Sequence, residues 1–262
     1  MKSLSIAATG MLAQQRNVEV ISNNIANLNT VGFKRQRAEF QDLMYQTLER
    51  AGAISSATGA IVPNGVQIGA GVKTGSVYRI IEQGNVTQTG NDLDLAVSGR
   101  GLFRIDMPDG TEAFTRAGNF SISGDGRIVT QDGYELLPGF AVPDDAVDIT
   151  ISEDGVVEAR IAGQEDAREI GRIELVTFFN ESGLEAIGDN LLLQTTASGE
   201  PVTGNAGDPG FGRILQGFIE NSNVDPVQEI TALIAAQRAY EMNARVIESS
   251  DEMLAQSANL RR

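Results

Sequence analysis

Carboxylates are the side chains whose type and spacing could support acid–base chemistry in this sequence. Two close pairs stand out, Asp92 with Asp94 and Asp144 with Asp145. A pair of carboxyl groups is the catalytic unit of glycoside hydrolases, so a β-rich, carboxylate-using hydrolase is one functional hypothesis. Against it, the adjacent Asp144 and Asp145 would face opposite ways on a strand, and the sequence indicates no pocket around either pair.

The remaining composition removes most other chemistry. The 262-residue chain contains no histidine and no cysteine. The missing histidine excludes the commonest general base and metal ligand, and the missing cysteine excludes thiolate chemistry and disulfides. The glycine-rich stretches lack the strand-then-helix context of a phosphate-binding loop. We therefore expect no catalytic residue, no cofactor, no metal site and no enzymatic activity.

Four Asp-Gly steps lie in the middle of the chain, at 109/110, 125/126, 132/133 and 154/155. They occur among short runs in which apolar and polar residues alternate, as in half-buried strands. Those runs are DLAVSG, GLFRID, RIVT, DITIS, VVEARI and IELVTF. Calcium ligation by the aspartates is the alternative, but the spacing of a calcium-binding loop is missing. The pattern predicts successive antiparallel β-hairpins.

A long amphipathic helix is predicted at the amino end. Its apolar residues recur with heptad spacing, the narrow seam of a coiled coil, over about 28 residues or roughly 42 Å. Gly32 suits the left-handed position just past a helix, and Phe33 could fold back onto Leu28 as in a Schellman cap. The seam consists of Leu4, Ala7, Met11, Val18, Ile21, Ile25 and Leu28, with Gln14 as its polar exception.

A second helix, of about 33 residues by the same periodicity, is predicted near the carboxyl end. Asp225 is placed as its N-cap, Pro226 as its first residue and Gln228 as its third. Its heptad track contains Ile230, Leu233, Gln237, Tyr240, Ala244, Ile247 and Leu254. A seam this narrow buries little apolar area, so a pair of such helices needs further neighbours. We expect both helices to be mobile in the free monomer and the middle to be folded.

Charge is distributed unevenly. Residues 90–204 hold 22 acidic and 7 basic side chains, a balance of −15 that equals the net charge of the whole chain. No basic face is large enough for nucleic acid, which we therefore do not expect as a partner. No run approaches the roughly 20 apolar residues of a transmembrane helix, and the amino end lacks a cleavage motif, so neither membrane insertion nor a cleaved signal peptide is expected.

The expected fold class is α+β, with long terminal helices paired as a coiled-coil-like unit around an inserted, mostly antiparallel β-domain. Residues 1–35 and 225–262 would form the terminal helical domain, and residues 90–204 the outer β-rich domain. Residues 36–89 and 205–224 would be extended or β connections, because they contain the glycine- and proline-rich stretches.

Three long motifs resemble the bacterial flagellar rod and hook proteins. ISNNIANLNTVGFKR is similar to their amino-terminal signature, and GFIENSNVDPVQEITALIAAQRAYEMNARVIESSDEML to their carboxyl-terminal segment. GLFRI followed by AFTRAGNFSISGDGRIVTQDGYELL is similar to their common β-domain. The segments GVQIGAGV and GLEAIGDNLL are similar to the distal rod branch of this family. A proximal rod or hook subunit is the alternative within the family.

The resemblance implies a structural subunit that polymerises helically into a hollow shaft, crosses the periplasm and transmits motor torque to the hook. Its implied partners are further copies of itself, other rod subunits, the hook subunit, and the outer-membrane and peptidoglycan ring proteins around the rod. It also implies secretion through the flagellar type III export apparatus.

Two sets of polar and apolar residues acquire a meaning in such an assembly. The amides of Asn24, Asn27 and Asn29 could fix the register between neighbouring copies, as a buried asparagine does in coiled coils. Residues 46–75 contain too many apolar anchors for a free linker, so we expect them to lie against a neighbouring subunit and stiffen the rod. The anchors are Ile54, Ile61, Val62, Val66, Ile68 and Val72.

Overall fold

A computed structural model describes residues 2–49, 64–143, 145–161 and 167–259. Two long helices, α1 (Lys2–Ala26) and α2 (Pro226–Asn259), flank a region of strands. The early strands are β1 (Gln36–Asp42), β2 (Tyr45–Glu49), β3 (Val66–Gly69), β4 (Val72–Arg79), β5 (Val86–Gln88) and β6 (Leu95–Ser98).

The strands of the central region follow in close succession. They are β7 (Leu102–Asp106), β8 (Glu112–Thr115), β9 (Ser121–Ile122), β10 (Ile128–Val129), β11 (Glu135–Leu136), β12 (Ala146–Ile151), β13 (Val156–Ile161), β14 (Arg168–Arg172) and β15 (Glu174–Thr177). A 3-10 turn (Glu181–Gly183) precedes β16 (Glu185–Gly188), β17 (Leu191–Leu193), β18 (Val202–Asn205), β19 (Arg213–Gln216) and β20 (Phe218–Glu220). The α+β class predicted from the sequence is confirmed.

The start of α2 matches its prediction. The backbone N–H groups of Val227 and Gln228 donate to Asp225 Oδ1 over 2.9 and 3.4 Å, so Asp225 is the N-cap and Pro226 the first helical residue. An N-cap carboxylate satisfies amides that have no partner inside the helix.

The end of α1 differs from its prediction. The helix stops at Ala26, because Thr30 N–H bonds back to the Asn27 carbonyl over 3.3 Å and Thr30 Oγ1 to Asn27 Oδ1 over 3.1 Å. Gly32 does have a left-handed φ of 71°, but in a separate turn closed by Phe33 N–H and the Thr30 carbonyl. The Schellman cap was therefore wrong, since Gly32 lies beyond the helix end.

The chain divides into two compact units. The helical unit comprises residues 1–25, 36–78 and 225–262, and the β unit comprises residues 26–35 and 79–224. The helical unit contains the helix pair, the ribbon of β2 with β3, and most of the pair of β1 with β4. The β unit includes residues 26–35, which begin with the last residue of α1 and which the sequence had assigned to the helical domain.

The β unit is built around a nine-stranded antiparallel sheet in the order β16-β17-β8-β7-β11-β10-β9. Strand β7 also pairs with β15, and β15 pairs with β18. A three-stranded sheet of β12, β13 and β14 and the pairs β6/β19 and β5/β20 complete the unit. Every pairing for which a register is defined is antiparallel.

Alternation along the strands gives the nine-stranded sheet two apolar faces. On β7, Phe103 and Ile105 point into a first core, which also contains Leu175 of β15. Leu102 points into a second, smaller core with Phe114, Val176, Phe178 and Leu184. An edge-to-face aromatic pair supports each core, Phe103 with Phe120 and Phe114 with Phe178.

All four Asp-Gly steps form hairpin turns. Their glycines have φ between 77° and 87°, and each glycine N–H bonds to the carbonyl three residues earlier. This is a type I turn followed by a left-handed glycine, a frequent hairpin connection. Across the described residues no cluster of metal-ligating side chains occurs, and no described helix is both long and apolar enough to span a membrane.

Candidate assembly surface

The contact between α1 and α2 is made by small and polar residues. Ser3 Oγ lies 3.5 Å from Ser250 Oγ, and Asn24 Nδ2 donates to Glu229 Oε2 over 3.1 Å. Between them, a Cβ atom on Gly10 would lie 2.9 Å from Nδ2 of Asn243. These positions advance by whole heptads along α1 and retreat by whole heptads along α2. The helices therefore pair antiparallel in one register, with close backbone approach at Gly10.

The buried side chains of the two helices agree with this geometry. Those on the described part of the helices are Ala7, Ala13, Ile21, Asn24, Glu229, Ala236 and Ser250. Most of these side chains are short, so the two helices can approach each other closely, and three of them are polar. Gly10 was a signal for this face in the sequence. A glycine inside a helix costs roughly 0.5–1 kcal/mol of stability, and close packing against a neighbouring helix can offset that cost.

The apolar heptad residues lie largely outside this contact. On α1, Ile21 is buried, while Leu4, Met11, Val18 and Ile25 are half-buried. Leu28, which lies beyond the end of the helix, is also half-buried. On α2, Leu233, Ala244, Ile247 and Leu254 are half-buried, Gln237 is exposed, and Ile230 and Tyr240 are 50% and 45% exposed. Ala7 and Ile21 are thus the members of the apolar heptads that are buried within the chain. Their role in contacts between copies stays a prediction.

Asn24 is the polar centre of the helical unit. Its Oδ1 accepts the Gln36 N–H over 2.8 Å, and its Nδ2 donates to the Gln36 carbonyl over 2.8 Å as well as to Glu229. The amide thus pairs with the backbone at the start of β1 as a neighbouring strand would. Both Nδ2 protons of Asn24 are therefore used inside the chain, and its role in the register between copies stays a prediction.

The other two asparagines lie in the β unit. Asn27 is half-buried and forms the turn with Thr30, whereas Asn29 is exposed. Phe33 is half-buried. Gly32 binds β20 through its backbone, because its N–H donates to the Glu220 carbonyl over 2.8 Å. A Cβ there would lie 2.6 Å from the Ala117 nitrogen, so this position requires glycine on two grounds.

A buried ionic cluster holds the segment 26–35 in the β unit. The side chain of Glu220 is 0% exposed, and its two oxygens bind Lys34 Nζ and Arg116 Nε, each over 2.5 Å. Gly84 N–H donates to the same carboxylate over 2.9 Å. Sequence reasoning missed this cluster, because its members are distant along the chain and no local pattern joins them.

Arg116 connects the cluster to a chain reversal in the sheet region. Its guanidinium donates to the carbonyls of Val97, Gly99 and Gly101, over 2.7 Å to Val97 and 2.6 Å to Gly99. A charged group buried with several such partners is fixed in position. The ion pairs and hydrogen bonds of Arg116, Glu220 and Lys34 therefore link three separate pieces of chain: the segment after α1, the β6–β7 connection and β20.

The cluster shifts two pKa values. Burial opposes ionisation of Glu220, but the attraction of Arg116 and Lys34 and their hydrogen bonds outweigh it, so the pKa of this carboxyl lies below its usual 4.5. Burial lowers the pKa of Lys34 below 10.5, and the nearby Glu220 offsets only part of that shift. The Glu220 carboxylate thus stays charged throughout the neutral range.

The predicted intersubunit segment is described only in part. Ile54, Ile61 and Val62 lie outside the described residues. Val66 and Ile68 are exposed on β3, and Val72 is half-buried at the start of β4. The ribbon of β2 and β3 carries further exposed apolar residues, Met44, Tyr45 and Leu48. Thr9 Oγ1 accepts the Val72 N–H over 3.3 Å, which ties β4 to α1 within the helical unit.

These features define a class of structural protein in which paired terminal helices, partly apolar on their exposed sides, carry an inserted β unit. Family models agree: a flagella basal body rod protein model matches residues 4–34, a flagellar hook protein FlgE/F/G D1 domain model residues 96–159, and a flagellar basal body rod FlgEFG protein C-terminal model residues 215–260. The chain belongs to the flagellar basal-body rod protein FlgG family.

Full-length relatives carry that assignment. The flagellar basal-body rod protein FlgG of Caulobacter vibrioides is 60% identical, covering 100% of both chains. That of Agrobacterium fabrum is 53% identical over 97% of both, and that of Bacillus subtilis 41% identical over 100% of both. The solved hook protein FlgE2 of Helicobacter pylori is 18% identical, with a TM-score of 0.25 over 71% of this chain and 43% of its own, a likeness too weak to bear on the fold.

Proposed function

We propose that this flagellar rod protein is a subunit of the distal rod, polymerising helically into a hollow shaft that transmits torque from the motor to the hook. The observation that carries the proposal is the helix pair. Its intramolecular contact uses small and polar residues, while apolar residues such as Ile230 and Tyr240 stay about half exposed. Surfaces of this kind are covered by partners in a working protein.

The subunit's partners follow from the same role. It associates with other rod subunits and the hook subunit, with the outer-membrane and peptidoglycan ring proteins around the rod, and with the type III apparatus that exports it. Its location is the flagellar basal body, in the part of the rod that crosses the periplasm. Its role is mechanical, and neither catalysis nor a cofactor is part of it.

The carboxylate pairs fit a structural role better than a hydrolytic one. Asp94 accepts hydrogen bonds from Thr89 Oγ1 over 2.5 Å and from Asn91 Nδ2 over 3.1 Å, which closes the turn before β6. Both carboxylate oxygens of Asp94 are therefore engaged locally. Of the second pair, Asp144 lies outside the described residues.

The assembly role is tested by charging an exposed helix position. Ile230→Asp changes a side chain that is half exposed in the monomer, so the purified monomer should keep its fold. In a packed wall of helices the unpaired charge should cost several kcal/mol and abolish rods. Gln256→Asp, at an exposed polar position of the same helix, is the matched control and should leave rods largely intact.

Rods are counted by electron microscopy of isolated basal bodies, and export is followed in parallel. An Ile230→Asp strain that secretes the protein but builds no rods is the expected result. Normal rods in that strain would contradict assembly through this helix face.

The ribbon of β2 and β3 supports a second part of the proposal, that residues 46–75 lie against a neighbouring subunit and stiffen the rod. Leu48, Val66 and Ile68 are all exposed on this ribbon. A two-stranded ribbon is marginally stable in water without an apolar partner surface. Replacing residues 52–64 by a glycine-serine linker of equal length should leave the β unit intact but give curved or unstable rods. Straight, stable rods from that variant would count against this part.

A further inference from the structure

Helix α2 carries large apolar side chains that are exposed in the chain, and six of them form two groups. The first group, here named the amino-terminal patch, consists of Val227, Ile230 and Ile234. The second, the carboxyl-terminal patch, consists of Met242, Val246 and Met253. These six residues are 45–71% exposed, and apolar surface of this kind marks a site that another molecule covers.

The side of α2 that faces α1 provides a reference direction around the helix. Glu229, Asn243 and Ser250 all lie against α1. Their positions differ by multiples of seven residues, so they form one line along α2. Other residues of the helix can be placed relative to this line, because each step along the chain turns by about 100°.

The two patches lie on opposite sides of that line. Ile230 is one residue past Glu229, and the amino-terminal patch lies on this side, about 100–160° from the line. Val246 is three residues past Asn243, and the carboxyl-terminal patch lies on the other side, about 60–100° from the line. Tyr240 is on the side of the amino-terminal patch but closer to α1. A single helix therefore cannot bring its own two patches together.

Each side of α2 is strongly apolar along only half of its length. On the side of the amino-terminal patch, the equivalent positions further along the helix are Glu241, Glu248 and Asp251, all exposed. On the other side, the positions before the carboxyl-terminal patch include only small residues such as Ala232 and Ala239. Two parallel copies of α2 at the same level would therefore place carboxylates against the carboxyl-terminal patch, which is unfavourable.

A displacement along the helix removes this conflict. The centres of the two patches are about 17 residues apart, which corresponds to roughly 25 Å at 1.5 Å per residue. After a shift by that distance, the two patches of neighbouring copies face each other, and Glu248 and Asp251 lie beyond the end of the neighbouring helix. The exposed Arg238 of one copy then lies within about 5 Å, along the axis, of the level of the exposed Glu252 of the next. Both are on the same rim of the contact, where opposite charges favour this register.

We propose that the amino-terminal patch of α2 in one copy packs against the carboxyl-terminal patch of α2 in the next, with the two helices parallel and displaced by about 25 Å. Because the two patches differ, the contact is head to tail and repeats without closing on itself. The inference rests on the proposed function in one respect, namely that copies of this chain polymerise in one direction. The partner of each patch is therefore the same helix of a second copy.

Engineered disulfides test this register in assembled rods, because the chain contains no cysteine of its own. Ile230 and Val246 lie at the same level in the proposed contact. The double variant Ile230→Cys, Val246→Cys should therefore give a ladder of covalent oligomers when isolated basal bodies are oxidised. Within one chain the two positions are about 24 Å apart along α2, whereas a disulfide requires Cα atoms within about 7 Å. Each single variant should stay monomeric, and cells that produce both single variants should give dimers only.

The double variant Ile230→Cys, Met253→Cys is the matched control. Met253 is exposed on the same side of α2 as Val246 but lies one heptad, about 10 Å, further along the helix, so few oligomers are expected. Oligomers as abundant as in the test pair would overturn the inference. Dimers of the Ile230→Cys single variant would also overturn it, because they indicate a closed two-fold pair.

Test-pair rods that stay monomeric after oxidation, or that become linked to another protein, would equally contradict the proposed register. If the double variant does not assemble, the two single variants are produced together with unmodified chain. Absence of dimers in rods that contain both variants then overturns the inference. Failure of the unmodified chain to form rods would instead refute the proposed function.

Discussion

The two units of this protein bury different kinds of side chain. The β unit has two apolar cores, with Phe103, Phe114 and Phe178 almost fully buried. The described part of the helical unit buries alanines, one isoleucine and polar groups, including Asn24 and Glu229. A packed aromatic core stabilises a unit without help, whereas a seam of alanines and amides contributes far less burial.

The difference concerns what each unit needs in order to be stable. The β unit is complete within one chain, since even the buried charges of its ionic cluster are paired inside it. The helical unit leaves its larger apolar side chains partly exposed, and we expect it to gain stability when those side chains are covered by other copies.

The largest effect is expected from Phe103→Ala in the β unit. Phe103 is 0% exposed and contacts Phe120 edge to face at 5.2 Å, so truncation leaves a cavity and should lower the free energy of unfolding by about 3–5 kcal/mol. Hydrogen exchange of the monomer, read separately in each unit, is the measurement. Protection should fall throughout the β unit and change little in α1 and α2.

Tyr240→Ala is the control for that experiment, since this aromatic side chain of the helical unit is half exposed in the monomer. We expect it to alter monomer exchange only slightly and to reduce rod formation. Limited proteolysis of the unmodified monomer should give a resistant fragment near residues 85–215. If the terminal helices of a verified monomer resist the protease as well as the β unit does, the proposed difference in stability between the two units is wrong.

The next effect is expected from Glu220→Gln. Removing this buried charge leaves Arg116 and Lys34 without their carboxylate, and breaking a buried ion pair in this way costs about 3–5 kcal/mol. Urea unfolding of the β unit measures it. Glu153→Gln, which breaks the exposed pair with Arg213, is the control and should change stability by only about 0–1 kcal/mol.

Acid should remove the contribution of Glu220 in the unmodified chain. Its pKa in the folded protein lies below 4.5, so the unfolded chain takes up the proton more readily. The stabilisation is complete above about pH 4.5 and is lost as the pH falls through the folded pKa. The pKa of Lys34 is also lowered, so the unfolded chain holds this proton more tightly than the folded one. Lys34 therefore makes stability rise with pH only in the alkaline range. Glu220→Gln should therefore flatten the acid limb, and an unchanged acid limb would show that the cluster is not its source.

Features that depend on a few consecutive residues were predictable from the sequence. The Asp-Gly turns require one left-handed residue, and the start of α2 requires one side-chain acceptor, so each is set locally. The ionic cluster joins Glu220 to positions 104 and 186 residues earlier, and no periodic pattern encodes such a contact. The end of α1 was misplaced because Asn27 and Thr30 form a turn that competes with the helix.

The small and polar contacts between the helices were not predicted, for a different reason. The largest apolar side chains drew attention, although two helices can also approach closely through residues that lack bulk. Gly10 and Asn243 were visible in the sequence, but their pairing depends on the register between two distant helices. For a protein that polymerises, apolar periodicity reports all contacts of the helix together and cannot separate those within a chain from those between chains.

A smaller effect is expected from Gly10→Val in that seam. The added side chain collides with Asn243 and should weaken the docking of α1 on α2 by about 1–3 kcal/mol, seen as faster hydrogen exchange in both helices. Ser5→Val, at an exposed position of α1, controls for the β-branched residue. Adding Asn243→Ala should restore part of the loss, with a coupling of about 0.5–3 kcal/mol, and strictly additive effects would refute this register.

The smallest effect is expected at the hairpin turns, where two glycines of similar backbone conformation differ in their surroundings. Gly133 has φ of 87° with open space around a Cβ, while Gly126 has φ of 77° and a Cβ there would lie 2.4 Å from the Val142 carbonyl oxygen. Gly133→Ala should therefore cost only the left-handed strain of about 1–2 kcal/mol, and Gly133→Asn less, because asparagine tolerates this conformation. Gly126→Ala must also displace backbone and should cost clearly more, as urea unfolding of the β unit would show. Equal losses at the two sites would mean that conformation alone explains the glycines, and that the packing of the first core against this turn contributes nothing.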